Sequence, residues 1–457
     1  MADKAVSLRG ERTVLFTNRQ LVALMWPLLL EQFLAITVGL ADSLMVATVG
    51  DAAISAVSLV DSISNLMIYI FSAMATGGAA VAGQYIGQQQ KEDACHAGQQ
   101  LIALLAAVSV FFVALLYLFR AQVLTVMFGH IEPDVMAATN TYYLYVMASI
   151  PGIALYNGGA ALWRTMGRSD ISLKVSLLMN GINVAGNAIL IFGFGMDVAG
   201  VAIPTLVSRT VAAAVILGML FNDKLTLHLS NVRAFRLDMR LMKNIFYIGV
   251  PSGVENGMFH LGRLVLFSLI STFGTAAMVA NAIGNTIANF NCFSGSAINL
   301  GLAAVVSQCV GAGEFDQARA YMKKIVKWTY GIMAVVNLGI MALLPLIMRV
   351  YNVSPEAEKL AVTVSLIHGI SSIFLWIPAF TIPSFLRAAG DAQFTMLASM
   401  TTMWLVRVLL AYVLGRYLGY GVVGVWFAHA ILDWLVRGAV FILRYRSGKW
   451  ESMGIKT

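Results

Sequence analysis

The stretch Pro27–Gly50, PLLLEQFLAITVGLADSLMVATVG, decides how the rest of the chain is read. It is apolar enough to cross a bilayer, yet it carries two acids, Glu31 and Asp42. A charge at that depth costs about 2.5–3.5 kcal/mol even on the lenient insertion scale, so such residues usually line a cavity or an ion path. The stretch returns as Pro251–Gly274, PSGVENGMFHLGRLVLFSLISTFG, at a shift of 251 − 27 = 224 that places Glu255 on Glu31. A charged, proline-bearing membrane helix repeated at half the chain length points to a two-lobed membrane transporter.

Working outward, 59% of the 457 residues are hydrophobic and 11% charged, against about 25% charged in soluble domains. Apolar runs of spanning length recur from end to end. The fold class expected is all-α and polytopic. About twelve spans are predicted, at 20–47, 57–84, 98–118, 136–160, 172–194, 199–221, 243–271, 278–307, 320–345, 360–386, 393–416 and 422–443. They divide into an N-lobe of six helices at 20–221 and a C-lobe of six at 243–443, joined by 222–242 and flanked by tails at 1–19 and 444–457. The joining segment mixes apolar and basic side chains at helical spacing, NVRAFRLDMRLMKN, and is expected as an amphipathic linker helix on the inner leaflet. The net charge of +8 is not a nucleic-acid signature. Lys and Arg fall mainly in alternate loops, which places both termini in the cytoplasm. The polar, basic N-terminus reads as a cytoplasmic tail and not a signal peptide. Cys95, Cys292 and Cys309 have no metal or disulfide spacing.

The repeat continues past the first helix. GDAAISAVSLVDSISN (Gly50–Asn65) pairs with GTAAMVANAIGNTIAN (Gly274–Asn289), and GGAAVAGQYIGQQ (Gly77–Gln89) with GLAAVVSQCVGAG (Gly301–Gly313), both at 224. WRTMGRSD (Trp163–Asp170) pairs with LRAAGDAQ (Leu386–Gln393) at 387 − 164 = 223, and GVAIPT from Gly200 with GVWFAH from Gly424. Six spans separate the repeat starts, so the halves are parallel repeats about an axis along the membrane normal. The small residues crowding spans two and eight read as close helix contacts.

No nucleotide loop, nucleophile elbow or HExxH motif is present, so pumping would draw on an ion gradient. The intramembrane acids Glu31, Asp42, Asp61, Glu255 and Asp433 are then the candidates. Asp42 and Glu31 are eleven residues apart and share one helix face. Asp42 is either a cation or proton carrier or an acid capped near the outer interface. Glu31 and Glu255 either couple ions or brace helices. Asp61 reads as interfacial or as part of the path, and Asp433 as the partner of Arg437 four residues on. Asn180, Asn183 and Asn187 lie on one span, with Asn183 and Asn187 on one face. They serve either as helix glue or as hard oxygen ligands beside a carboxylate. His260 and Arg263 are candidates for relay or gating. Phe374, Trp376 and Phe380 form either a substrate wall or core packing.

ADSLMVATVG in span one, GGAAVAGQYIG after span two, WRTMGRSD before an Asn-rich span ending LIFGFG, LRAAGDAQFTM and GVWFAHAILDWLVR together resemble the multidrug and toxic compound extrusion (MATE) family over nearly the whole chain. The resemblance implies a MATE/MOP-like fold of two six-helix bundles. It also implies export of amphipathic, mostly cationic compounds in exchange for Na⁺ or H⁺. Asp42, Asn183, Asn187 and Thr205 match the family's N-lobe cation site, with Na⁺ at Asp42 as the one metal implied. The DNA-damage-inducible F branch has an acid where Asn187 stands. The norfloxacin-exporter branch has a glutamate eight residues after the span-seven proline, where this chain has Phe259, and an acid in span ten that is missing here. Coupling is therefore expected through the N-lobe.

The expectation is a secondary antiporter, not an enzyme, with no cofactor beyond the coupling ion. It is expected as a monomer in a bacterial inner membrane, in contact with lipid and with organic cations or amphipathic drugs. A flippase for a lipid-linked precursor is the alternative, and would need a cavity rich in Arg, for which the basic residues look few. An intramembrane enzyme is further off, for lack of paired acids that hold Mg²⁺-diphosphate.

Overall fold

The computed structural model describes residues 14–129, 132–229 and 237–455. Expectations for 1–13, 230–236 and 456–457 fall outside the described residues. All regular structure among the described residues is helical. The chain runs through α1 (Asn18–Ala47), α2 (Asp51–Gly87), α3 (Lys91–Leu118), α4 (Arg120–Phe128), α5 (Pro133–Ala148), α6 (Ile150–Thr165), α7 (Ser169–Ala188) and α8 (Ala199–Gly218). It continues as α9 (Met239–Ser271), α10 (Thr275–Gly311), α11 (Phe315–Tyr351) and α12 (Pro355–Phe374), then α13 (Ile382–Ala388), α14 (Ala392–Thr401), α15 (Leu409–Tyr412), α16 (Gly421–Phe427) and α17 (Trp434–Arg446).

Ten helices among the described residues are long and apolar enough to cross a membrane. The predicted fourth span is a helix pair, α5 and α6, broken at Ser149 just before Pro151. Proline has no N–H to bond the preceding turn, so the break falls where the ladder cannot continue. The predicted seventh span is the single helix α9, which runs through Pro251.

The chain packs as two compact units. One is Trp26–Gly253; the other joins the described part of Met1–Met25 to that of Val254–Thr457. In the first unit, Gly77 on α2 faces Gly249 on α9 so closely that a Cβ would meet the Gly249 Cα at 3.1 Å. Close approach of backbones substitutes here for the hydrophobic drive that lipid cannot supply. In the second unit, the ring of Trp376 fills the space beside Gly295 on α10, and the first residues of the described chain dock on α11 through Phe16 and Tyr321. Residues 222–229 form turns, not the start of the expected linker helix. Leu227 and Leu229 are both buried, and the Leu227 methyls pack at Gly98 on α3. Burial two residues apart suits a bent segment lying on a helix, not a helical face.

The repeat is written into the backbone. α2 and α10 have 37 residues each, starting at 51 and 275, and both follow a glycine with positive φ, Gly50 and Gly274. The left-handed residues Gln89 and Gly313, Gly167 and Gly390, and Gly195 and Gly419 stand in the same correspondence. After α7 the helix widens into a π turn, Ile189–Gly193, and the second unit has one at the matching Val413–Tyr417. It has further π turns at Thr402–Val408 and Ala428–Asp433. A π turn accommodates one inserted residue, so Thr402–Val408 accounts for the change of shift from 223 to 224.

Gly167 and Gly390 separate two costs. A Cβ at Gly167 meets nothing, whereas at Gly390 it would lie 2.4 Å from the Met453 carbonyl oxygen. Gly167→Ala is expected to cost about 1 kcal/mol, for the left-handed backbone alone. Gly390→Ala is expected to cost about 2–4 kcal/mol because overpacking adds to it. Thermal unfolding in neutral detergent checks the order, and equal losses would refute the tight docking of the C-terminal segment.

Candidate functional site

In the first unit three helices converge on Asp42. The acid is half-buried on α1, and the Asn187 amide on α7 donates to it at 3.0 Å. Asn183, one turn earlier, satisfies its surroundings with its nitrogen toward Asp42, at 2.9 and 3.0 Å from the two carboxylate oxygens, while its own oxygen accepts from the Thr205 hydroxyl at 3.2 Å. Gly186 makes this possible. A Cβ there would meet the Pro204 ring at 2.7 Å, so only glycine lets α7 approach α8 and brings Asn183 to Thr205. Asn187 is fully buried, and its Oδ1 has no partner among the described residues. A buried amide oxygen without a donor is costly unless function retains it.

The network continues inward. The Tyr142 hydroxyl donates to Asp61 at 3.3 Å. Arg209 donates to Ser149 at 2.8 Å and interacts electrostatically with both Asp61 and Asp42. Asp61 thus belongs to an interior cluster and not to a bare interface. Asn180 makes only a long contact, 3.5 Å, to Ser176. Tyr142, Ser149 and Arg209 do not stand out in the sequence as site residues; a basic residue inside a span is the only signal, and only for Arg209.

Glu31 and Glu255 lie apart from this cluster and are clamped. Glu31, 6% exposed, accepts from Ser172 at 2.7 Å and Tyr156 at 3.3 Å. Glu255, 5% exposed, accepts from Ser399 at 2.7 Å and from Arg387 at 3.2 Å on both oxygens. Each glutamate ties its helix to the one that starts within the Trp163–Asp170 or Leu386–Gln393 motif. This geometry is that of a brace.

In the second unit Asp433 and Arg437 form a buried pair, 2.9 Å on both oxygens, and Phe259 lies 4.3 Å under the Arg437 guanidinium. The aromatics Phe374, Trp376 and Phe380 do not form a common wall. Phe374 is 63% exposed, Trp376 is buried, and Phe380 stacks on Trp376 at 5.2 Å. Trp376 is core because Gly295 leaves a ring-sized space for it. His260 is half-buried on α9. Arg263 and Arg407 line a cavity of about 300 Å³ in this unit. Basic residues are thus better represented at this cavity than expected: the sequence places Arg407 inside an apolar span, and packing decides that it faces the cavity.

Residues 27–189 and 251–413 each match the MatE family. The two matches are offset by 251 − 27 = 224 and 413 − 189 = 224, the internal repeat itself. The chain belongs to the MatE family of multidrug efflux transporters, which are transporters and not enzymes. A Bacillus subtilis (strain 168) protein described as the uncharacterized transporter YisQ is 29% identical over 95% of both chains. A probable multidrug resistance protein NorM of Thermotoga maritima is 24% identical over 96% of this chain and 94% of its own. Among solved structures, the Vibrio cholerae MATE transporter VcmN superposes with a TM-score of 0.83 at 20% identity, over 95% of this chain and 98% of its own. The ten apolar helices and the family together make this an integral membrane protein.

The braces predict a stability phenotype. Glu31→Ala removes the carboxylate acceptor of the Ser172 and Tyr156 hydroxyls, which keep their contacts to the Ser169 and Ser172 carbonyls, and is expected to cost about 1–2 kcal/mol. Glu255→Ala strands Arg387 and is expected to cost about 3 kcal/mol. Both should lower the melting temperature in detergent, and an unchanged melting temperature with lost transport would assign the glutamates to coupling instead.

Proposed function

We propose that the protein is a secondary antiporter that exports amphipathic organic compounds in exchange for one monovalent cation, Na⁺ or H⁺, carried at Asp42. The convergence of Asn183 and Asn187 on the Asp42 carboxylate carries this reading. An amide has a donor end and an acceptor end. With nitrogens inward, the two amides hold the carboxylate ionised. Turned over, they offer oxygens, and a carboxylate with two amide oxygens and the Thr205 hydroxyl is a hard donor set suited to Na⁺. A proton on Asp42 would equally remove the acceptor that both amides now share. Either event exchanges the bonds that tie α1 to α7. A cation that binds one arrangement better than the other shifts the population toward it, which is the requirement for coupling.

Organic cations are the expected cargo on the family resemblance. The positive-inside distribution of Lys and Arg supports cytoplasmic termini, and the bacterial relatives support a bacterial cytoplasmic membrane. A monomer is sufficient for this reading, since each repeat is present within one chain.

The test is efflux of a fluorescent organic cation from proteoliposomes under a separately imposed Na⁺ or pH gradient. Wild type should respond to one gradient, which names the ion. Asp42→Asn should lose at least about tenfold of the gradient-driven rate and still insert in the membrane. Retention of coupled transport by Asp42→Asn would overturn the assignment.

A further inference from the structure

Adding the 224-residue repeat to the first unit's cluster gives 42 + 224 = 266, 61 + 224 = 285, 183 + 224 = 407 and 205 + 224 = 429. These are Leu266, Asn285, Arg407 and His429, and all four line the same cavity of about 300 Å³ in the second unit. The fold has therefore kept the place and changed its chemistry. Asp42 has become a leucine, Asp61 an amide, Asn183 an arginine and Thr205 a histidine. Arg209 maps in the same way onto Asp433.

The balance of charge is inverted between the two places. Asp42 and Asp61 stand with one arginine, Arg209, in the first unit. In the second, Arg263, Arg407 and Arg437 act on one another's surroundings with Asp433 as the acid among them. Asp433 gives both oxygens to Arg437 at 2.9 Å. Among the described residues no acid lines the cavity. Arg407 is 5% exposed, and its Nε has no hydrogen-bond partner among the described residues. Its backbone lies in the π turn Thr402–Val408, and that of His429 in the π turn Ala428–Asp433, where the first unit has ordinary α-helix. π turns gather at functional sites. Nearer the open side stand Arg263 and Asn285, both exposed, and Trp426 forms a buried wall.

A guanidinium buried without a carboxylate is expensive, and its fork of donors suits carboxylate and phosphate oxygens. The geometry points to a second ligand site: the cavity of the second unit binds an anion, the carboxylate or phosphate group of an organic solute or of a lipid. Arg407 grips the group at depth, Arg263 draws it in, and the Asn285 amide completes the donors. This goes beyond cation coupling at Asp42 and is independent of it. It widens the cargo to compounds that carry an acid group, zwitterions among them, or places an anionic lipid against the second unit.

The experiment measures equilibrium binding to the full chain in neutral detergent with no gradient imposed, so a failure of ion coupling cannot register as a failure here. The probes are benzoate, inorganic phosphate, benzyltrimethylammonium as the matched cation, and phosphatidylglycerol against phosphatidylcholine. The readout is the ligand-dependent rise in melting temperature. Wild type should be stabilised by at least one anionic probe, and benzyltrimethylammonium should bind about tenfold more weakly or worse. Arg407→Gln and Arg263→Gln should each lose about tenfold or more in anion affinity, and Arg407→Lys should recover part of it. If Arg407→Gln fails to fold, Arg263→Gln at the rim carries the comparison. Response to phosphatidylglycerol alone assigns the site to a lipid headgroup, and response to benzoate or phosphate assigns it to a soluble group. The proposal is overturned if no anionic probe binds, if the cation binds as tightly and is lost in the same variants, or if anion affinity is unchanged in Arg263→Gln and Arg407→Lys.

Discussion

A carboxylate inside an apolar helix bundle must be met by donors from its neighbours, and in this protein those bonds set the positions of the helices. Asp42 draws two amides from α7, Asp61 draws a phenol from α5, and Glu31 draws hydroxyls from α6 and α7. Each acid is thus a tie between α1 or α2 and the helices that follow α4. Removing water makes each bond stronger and each unmade bond more costly. The buried acids are therefore the most constrained points of the first unit. Where the donors are amides, each can present either a nitrogen or an oxygen to the acid.

The two kinds of tie divide the work. Glu31 and Glu255 are saturated by hydroxyls and, in the second unit, by a guanidinium. These donors tie each glutamate to a neighbouring helix, which is the geometry of a brace. Asp42 is half-buried and hydrogen-bonded by amides, which can present either end. The acids thus differ in their partners, hydroxyls and a guanidinium for the glutamates and amides for Asp42.

Duplication explains why the brace occurs in both halves, while the Asp42 cluster keeps its backbone in both and its chemistry in one. Turns, left-handed positions and the 37-residue length of α2 and α10 agree between the repeats because the backbone path must be kept for either half to pack. Side chains that face an internal cavity are released from that demand. One copy has become acidic and amide-rich, the other basic, and the π turns of the second unit are the local backbone changes that accompany the exchange.

The helical class, the near-complete set of spans and the repeat are all legible along the chain. Hydropathy period, glycines at turns and a fixed shift are local signals that need no packing to be read. Asp42, Asn183 and Asn187 are conspicuous too, as charge and amides in an apolar run, whereas Thr205 is picked out only by the family resemblance. Packing settled the rest: that Glu31 and Glu255 are clamped, that Trp376 is core, and that Arg407 turns into a cavity. Those outcomes depend on which helix face meets which neighbour. A serine that caps a glutamate has no signature along the chain, and an arginine within a span does not reveal there which cavity it faces, since the partners are set by packing more than a hundred residues away.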